Sequence, residues 1–174
     1  MKNLVIRDAQ PSDREAIRKV TLSAFQEYAA LIPSVWEGYR EDISATLAEV
    51  KPAEQIVAEQ DGVIAGTVLL YPAETGSPAP DGVPATGAWP EVRLLAVAPA
   101  SRGQGIGGAL MRECARRARR SGAQALALHT SDIMSVAMRM YERMGFVRAP
   151  ELDFHVYVDL TIKGYLLNLH VPAP

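Results

Sequence analysis

Val97-Ala98-Pro99-Ala100-Ser101-Arg102-Gly103-Gln104-Gly105-Ile106-Gly107-Gly108-Ala109-Leu110 is the stretch that decides the fold. The apolar run Val92 to Val97 leads into it, and an amphipathic helix over about Gly107 to Ser121 leads out. A glycine-rich turn at the start of a helix leaves backbone N–H groups without intrahelical acceptors. Those donors and the positive end of the helix dipole converge on one spot, which suits a phosphate. Arg102 adds a guanidinium able to grip phosphate with two hydrogen bonds. The stretch therefore reads as the grip of a pyrophosphate-bearing cofactor.

Spacing narrows the cofactor. A Walker loop needs a Gly-Lys-Ser/Thr ending, and no lysine stands there. Gly103 to Gly108 fits the dinucleotide fingerprint only in part, and the surrounding strand pattern is not that of a doubly wound domain. The spacing Arg102-x-x-Gly105-x-Gly107, after a strand ending Leu95-Ala96-Val97, resembles the acetyl-CoA signature of the GNAT family of N-acetyltransferases. Downstream, Ala137-x-x-x-Tyr141-Glu142-x-x-Gly145-Phe146 resembles that family's second motif. Two motifs in the right order are more specific than either alone.

Composition excludes several other classes. A net charge of −2 gives no electrostatic case for nucleic acid or an anionic membrane. No apolar stretch reaches the roughly 20 residues that span a bilayer. Cys114 is the only cysteine, so an internal disulfide is impossible, and its place on the line Leu110, Cys114, Ala118 marks it as a small buried hydrophobe. Three scattered histidines make no ligand set, and no metal is expected. The N-terminus shows no export signal, so the reading is of a cytoplasmic protein and of one domain over residues 1–174.

The pattern along the chain is β-α-α-β-β-β-α-β-α-β-β, a mixed α/β (α+β) sheet flanked by helices, as the resemblance to the GNAT fold implies. Val5 to Arg7 opens it as a strand. Two helices follow, one running from Ser12 or Asp13 to about Leu31 and one from Val35 to Val50. Gln55–Glu59 and Val63–Tyr71 read as strands around the turn Gln60-Asp61-Gly62. Pro72 to Pro90 reads as a long surface loop. Glu91–Val97 is the central strand. Gln124–His129 is the next, and Ile133–Arg143 a short helix. A strand begins at Phe146, and Phe154–Val158 and Tyr165–Val171 close the chain. Edge strands near the C-terminus suit a homodimer.

The resemblance assigns roles. The backbone of Leu95, Ala96 and Val97 would pair with the pantetheine arm of coenzyme A, and Arg102, Gly103, Gln104, Gly105, Ile106, Gly107 and Gly108 would hold its diphosphate. Tyr141 falls where the family's general acid lies. A phenol with pKa near 10 can donate to a departing thiolate at neutral pH. Glu91 stands where several members carry a general base, with His129, Asp132 or water as alternatives. Met134 replaces the asparagine that many members place against pantetheine, a contact that Ser131 or Ser135 could make instead. Tyr28, Trp36, Tyr39 and Phe154, with Phe25, are candidates for the acceptor wall, and Glu27, Glu151 and Asp153 for attracting a cationic amine. The expected reaction is acetyl transfer from acetyl-CoA to a primary amine of a small molecule or peptide. The rivals are a non-catalytic acyl-CoA-binding module and an enzyme using another acyl-CoA.

Overall fold

A computed structural model describes residues 3–73, 87–157 and 160–170. The loop expected over 72–90 falls mostly outside these residues, as do the expected strand ends Val158 and Val171. Strands β1 (Leu4–Asp8), β2 (Glu54–Gln60), β3 (Val63–Tyr71), β4 (Glu91–Val97), β5 (Ala125–Thr130), β6 (Val147–Arg148), β7 (Phe154–Tyr157) and β8 (Leu160–Asn168) join one eight-stranded sheet. Its order is β1-β2-β3-β4-β5-β8-β6, with β7 paired to β8. All pairs are antiparallel except β4 with β5. The helices are α1 (Arg14–Phe25), α2 (Trp36–Ala48), α3 (Ile106–Arg120) and α4 (Ser135–Arg143).

The mixed sheet and the element order agree with the sequence reading, and the differences lie at the ends. Three strands follow α4, at the three expected places although the pattern β-α-α-β-β-β-α-β-α-β-β counts only two, and the last begins at Leu160, five residues before the expected Tyr165. The Leu160–Lys163 segment lacks a clean apolar alternation because it is only partly buried. The first helix stops at Phe25 and tightens into a 3-10 turn at Gln26–Tyr28.

Side-chain alternation along β2 divides the core. Ile56 and Ala58 pack with Leu110, Met111 and Cys114 of α3 and Tyr141 of α4. Val57, between them, packs with Ile17, Phe25, Trp36 and Ile43 of α1 and α2. The sheet thus carries α1 and α2 on one face and α3 and α4 on the other. In α3 the buried residues Ile106, Leu110, Met111, Cys114, Ala115 and Ala118 follow the helical repeat. The helix lies so close to β3 that a Cβ on Gly66 would meet Ile106 Cγ2 at 2.9 Å and the Ala96 carbonyl at 3.1 Å. Arg117, at the far end of α3, ties the helix to Asp8 of β1 and Glu54 of β2.

Candidate active site

The site begins where the sheet fails to stay closed. β4 pairs with β5 only through Glu91↔Ala127 and Val92↔Leu128. On its other side β4 carries a bulge: Thr67 faces Ala96 and Leu69 faces Arg93, so Leu94 and Leu95 together oppose Val68. Leu94 takes a φ of 48°, a left-handed conformation that costs a leucine about 1–2 kcal/mol. The bulge re-aims the second half of β4, and a cavity of about 740 Å³ opens there.

At the end of β4 the chain makes a 3-10 turn at Pro99–Ser101 and then the glycine turn. Gly105 caps α3 with φ 78°, a conformation that favours glycine. The first donor past this point to find a partner is Ala109, whose N–H bonds the Gly105 carbonyl at 3.0 Å. The amides of Gly103, Gly105, Ile106, Gly107 and Gly108 have no acceptor among the described residues. These five unpaired donors stand where the sequence reading expects an anion grip, and Gly103, Gly105, Ile106, Gly107 and Gly108 line the cavity.

The cations beside the grip differ from expectation. The Arg102 guanidinium is held by Glu27 (2.6 and 3.1 Å) and the Ala24 carbonyl (3.1 Å), which ties the glycine turn to the end of α1. Arg112, to which the sequence reading gave no role in the site, lines the cavity, close enough that a Cβ on Gly108 would meet its Nη1 at 3.2 Å. Arg143 lines the cavity too, and neither Arg112 nor Arg143 has an ion-pair partner among the described residues. Arg112 was legible as the residue one turn beyond Gly108, on the flank of the buried stripe.

Of the strand residues assigned to the pantetheine arm, Leu95 and Val97 line the cavity. Ala96 does not; its side chain is buried toward α1 and α2. Gln104 is likewise off the lining, its amide oxygen accepting from Gln60 Nε2 at 3.2 Å. Met134 and Ser131 line the cavity, whereas Ser135 does not.

Tyr141 lines the cavity from α4, with its ring 5.8 Å from that of Phe146. Burial pushes its phenol up, so the hydroxyl keeps its proton. Cys114 is fully buried, and burial pushes its thiol up to about 12, which removes it as a nucleophile. Glu91 also lines the cavity but is 2% exposed and doubly paired. Arg93 Nη2 donates to its Oε2 at 2.9 Å, and His129 Nδ1 lies 2.7 Å from its Oε1. The second ring nitrogen, His129 Nε2, lies 2.9 Å from the Leu152 carbonyl. Both ring nitrogens therefore face oxygens, with Nε2 donating to the Leu152 carbonyl. This unit joins β4, β5 and the turn before β7, where Phe154 sits 5.0 Å from the imidazole.

Tyr28, Tyr39, Phe154 and Phe25 line the cavity. Trp36 is a correction: it is buried in the α1–α2 packing, 6.2 Å from the Tyr39 ring, and takes no part in the lining. At the first position of α2, its ring fills the space between helix and sheet. The carboxylates expected to attract an amine are engaged or elsewhere. Glu27 holds Arg102, Asp153 holds Arg148 and the Gly164 amide, and Glu151 is not on the lining. The acid that sequence reading missed is Asp42, which lines the cavity from α2 between Tyr39 and Ile43. Its signal was an acid at helical spacing within an apolar stripe.

A model described as the Acetyltransferase (GNAT) family matches residues 16–146. A mycothiol acetyltransferase from Cellulomonas flavigena is 32% identical over 138 residues, covering 78% of this chain and 38% of that protein. A streptothricin acetyltransferase from Streptomyces lavendulae is 38% identical over 81 residues, 46% of this chain and 42% of that one. The chain thus spans less than half the length of these curated relatives. Among solved structures, a GNAT family acetyltransferase from Brucella melitensis in complex with acetyl-CoA superposes with a TM-score of 0.61 at 27% identity, over 99% of this chain and 91% of that one.

Proposed function

Because the chain belongs to the GNAT acetyltransferase family, we propose that it moves the acetyl group of acetyl-CoA onto a primary amine by direct attack in a ternary complex. One observation carries this reading: the unsatisfied amides of Gly103 to Gly108 (Gln104 apart) open onto the same cavity as the β4 bulge and Tyr141. Acetyl-CoA supplies an activated thioester. The five amides and Arg112 would hold its diphosphate, and the main chain at Leu95 and Val97 would flank its pantetheine arm. That side-chain-independent grip tolerates the replacement of the family's asparagine by Met134.

Tyr141 donates to the departing sulfur, a task suited to a phenol that burial keeps protonated. Glu91 lies on the cavity floor and takes the proton lost by the amine, directly or through a water. Arg93 and His129 fix its position. An amine must be neutral to attack, so the rate should rise with pH as the acceptor deprotonates. The test is release of free coenzyme A thiol from acetyl-CoA over a panel of amines. Amine-dependent release supports transfer. Tight acetyl-CoA binding with no release for any amine would make the chain a binding module instead.

A further inference from the structure

Charge is distributed unevenly around the cavity. The amide row has Arg112 beside it, with a Cβ on Gly108 meeting its Nη1 at 3.2 Å, and Arg143 also lines the cavity. Among the described residues three acids line the cavity, and two are committed: Glu27 to Arg102, and Glu91 to Arg93 and His129. Asp42 has no cationic partner among the described residues. It lies on α2 beside Tyr39 and Ile43, on the wall that also carries Phe25 and Tyr28. Burial holds its carboxyl above the usual carboxylate range, and the neighbouring Glu41 adds to that shift. A half-buried carboxylate without a counterion costs free energy, which a cation entering from the cavity would recover. Among the described residues, Phe154, Val156, Leu160 and Ile162 add apolar side chains to the lining from β7 and β8.

We propose that Asp42 selects the acceptor by pairing with an ammonium or guanidinium group on an amine of apolar or aromatic body. Preferred acceptors then carry a second positive charge besides the amine that is acetylated. This rests on the transferase reading above. It adds the charge and the character of the substrate, which that reading leaves open. An acceptor bearing a carboxylate at the same place would meet repulsion from Asp42 and an unrecovered desolvation cost.

Three probes of one shape and different charge test it: para-xylylenediamine, 4-methylbenzylamine and 4-(aminomethyl)benzoate. In the unmodified protein kcat/KM should be about tenfold higher for the diamine than for 4-methylbenzylamine, after correction for its two equivalent amines, and lowest for the benzoate. In Asp42→Asn the three values should converge to within about twofold, chiefly through KM, with acetyl-CoA affinity unchanged. The same charge preference in both proteins, or none in the unmodified one, would overturn the proposal. If no probe is acetylated, calorimetric titration of the three decides. A charge order in binding that Asp42→Asn abolishes upholds Asp42, and the transferase reading falls only if the wider amine panel also gives no release. No such order overturns the assignment of Asp42.

Discussion

Gly66→Ala is a one-methyl perturbation that couples the fold to the site. The added Cβ would lie 2.9 Å from Ile106 Cγ2, 3.1 Å from the Ala96 carbonyl and 3.1 Å from Leu110 Cδ1. Ile106 is β-branched and fully buried, and Ala96 presents backbone, so neither yields cheaply. The start of α3 must shift by a few tenths of an ångström, at the very residues whose unpaired amides are the proposed anion grip. Overpacking of this kind costs about 1–3 kcal/mol. For a chain of this size that lowers Tm by about 2–12 °C. Gly38→Ala is the control, since nothing lies within 4 Å of its added Cβ and it sits inside α2. That substitution should stabilise by about 0.5–1 kcal/mol. Thermal unfolding of the three proteins measures the opposite signs, and titration with coenzyme A should show weakened affinity for Gly66→Ala alone. Equal Tm and equal affinity in Gly66→Ala and the unmodified protein would refute the claim that α3 is seated against β3 by contact at Gly66.

Other consequences can be checked in parallel. Tyr141→Phe should lower kcat by about a hundredfold, the scale of general acid catalysis, with coenzyme A affinity unchanged in calorimetry. Glu27→Gln releases the bidentate hold on Arg102 and should tighten coenzyme A binding by up to about fivefold, since a pair this exposed is worth no more than about 1 kcal/mol. Arg116 and Arg117 hold the Glu113 carboxyl down to about 2, from 4.5. A depressed folded-state value means that its stabilisation is full above about pH 4.5 and is lost as pH falls toward 2. Discounted for the exposure of Arg116, that contribution is about 1 kcal/mol. Glu113→Gln should therefore be less stable than the unmodified protein in urea unfolding at pH 7, with the gap narrowing as pH falls below about 4.5 and closing toward pH 2.

Much of this fold could be read along the chain because its signals are local. Gly105 and Gly122 bracket α3, and the apolar stripe between them is unbroken. The hairpin turn at Asp61-Gly62 set β2 and β3 to within a residue. The glycine motif marked the row of unpaired amides because those donors are backbone. Side-chain partners were harder to read, because they depend on which surfaces meet. Arg102 is bound by Glu27, 75 residues away in sequence, and Glu91 by His129, 38 residues away. No periodicity carries such pairings. Trp36 and Tyr39 share one helix at similar spacing, yet one fills the core and the other the cavity wall. Asp42 was passed over because a lone acid in a helix is ordinarily a solvated one.

The central claim is that main-chain amides at the start of α3 grip the diphosphate of coenzyme A. Calorimetric titration of the unmodified protein with coenzyme A and, separately, with pantetheine tests it most directly, since pantetheine lacks the diphosphate. The account predicts exothermic binding of coenzyme A and affinity for pantetheine lower by at least about a hundredfold. No heat with coenzyme A, or equal affinity for the two, would contradict it.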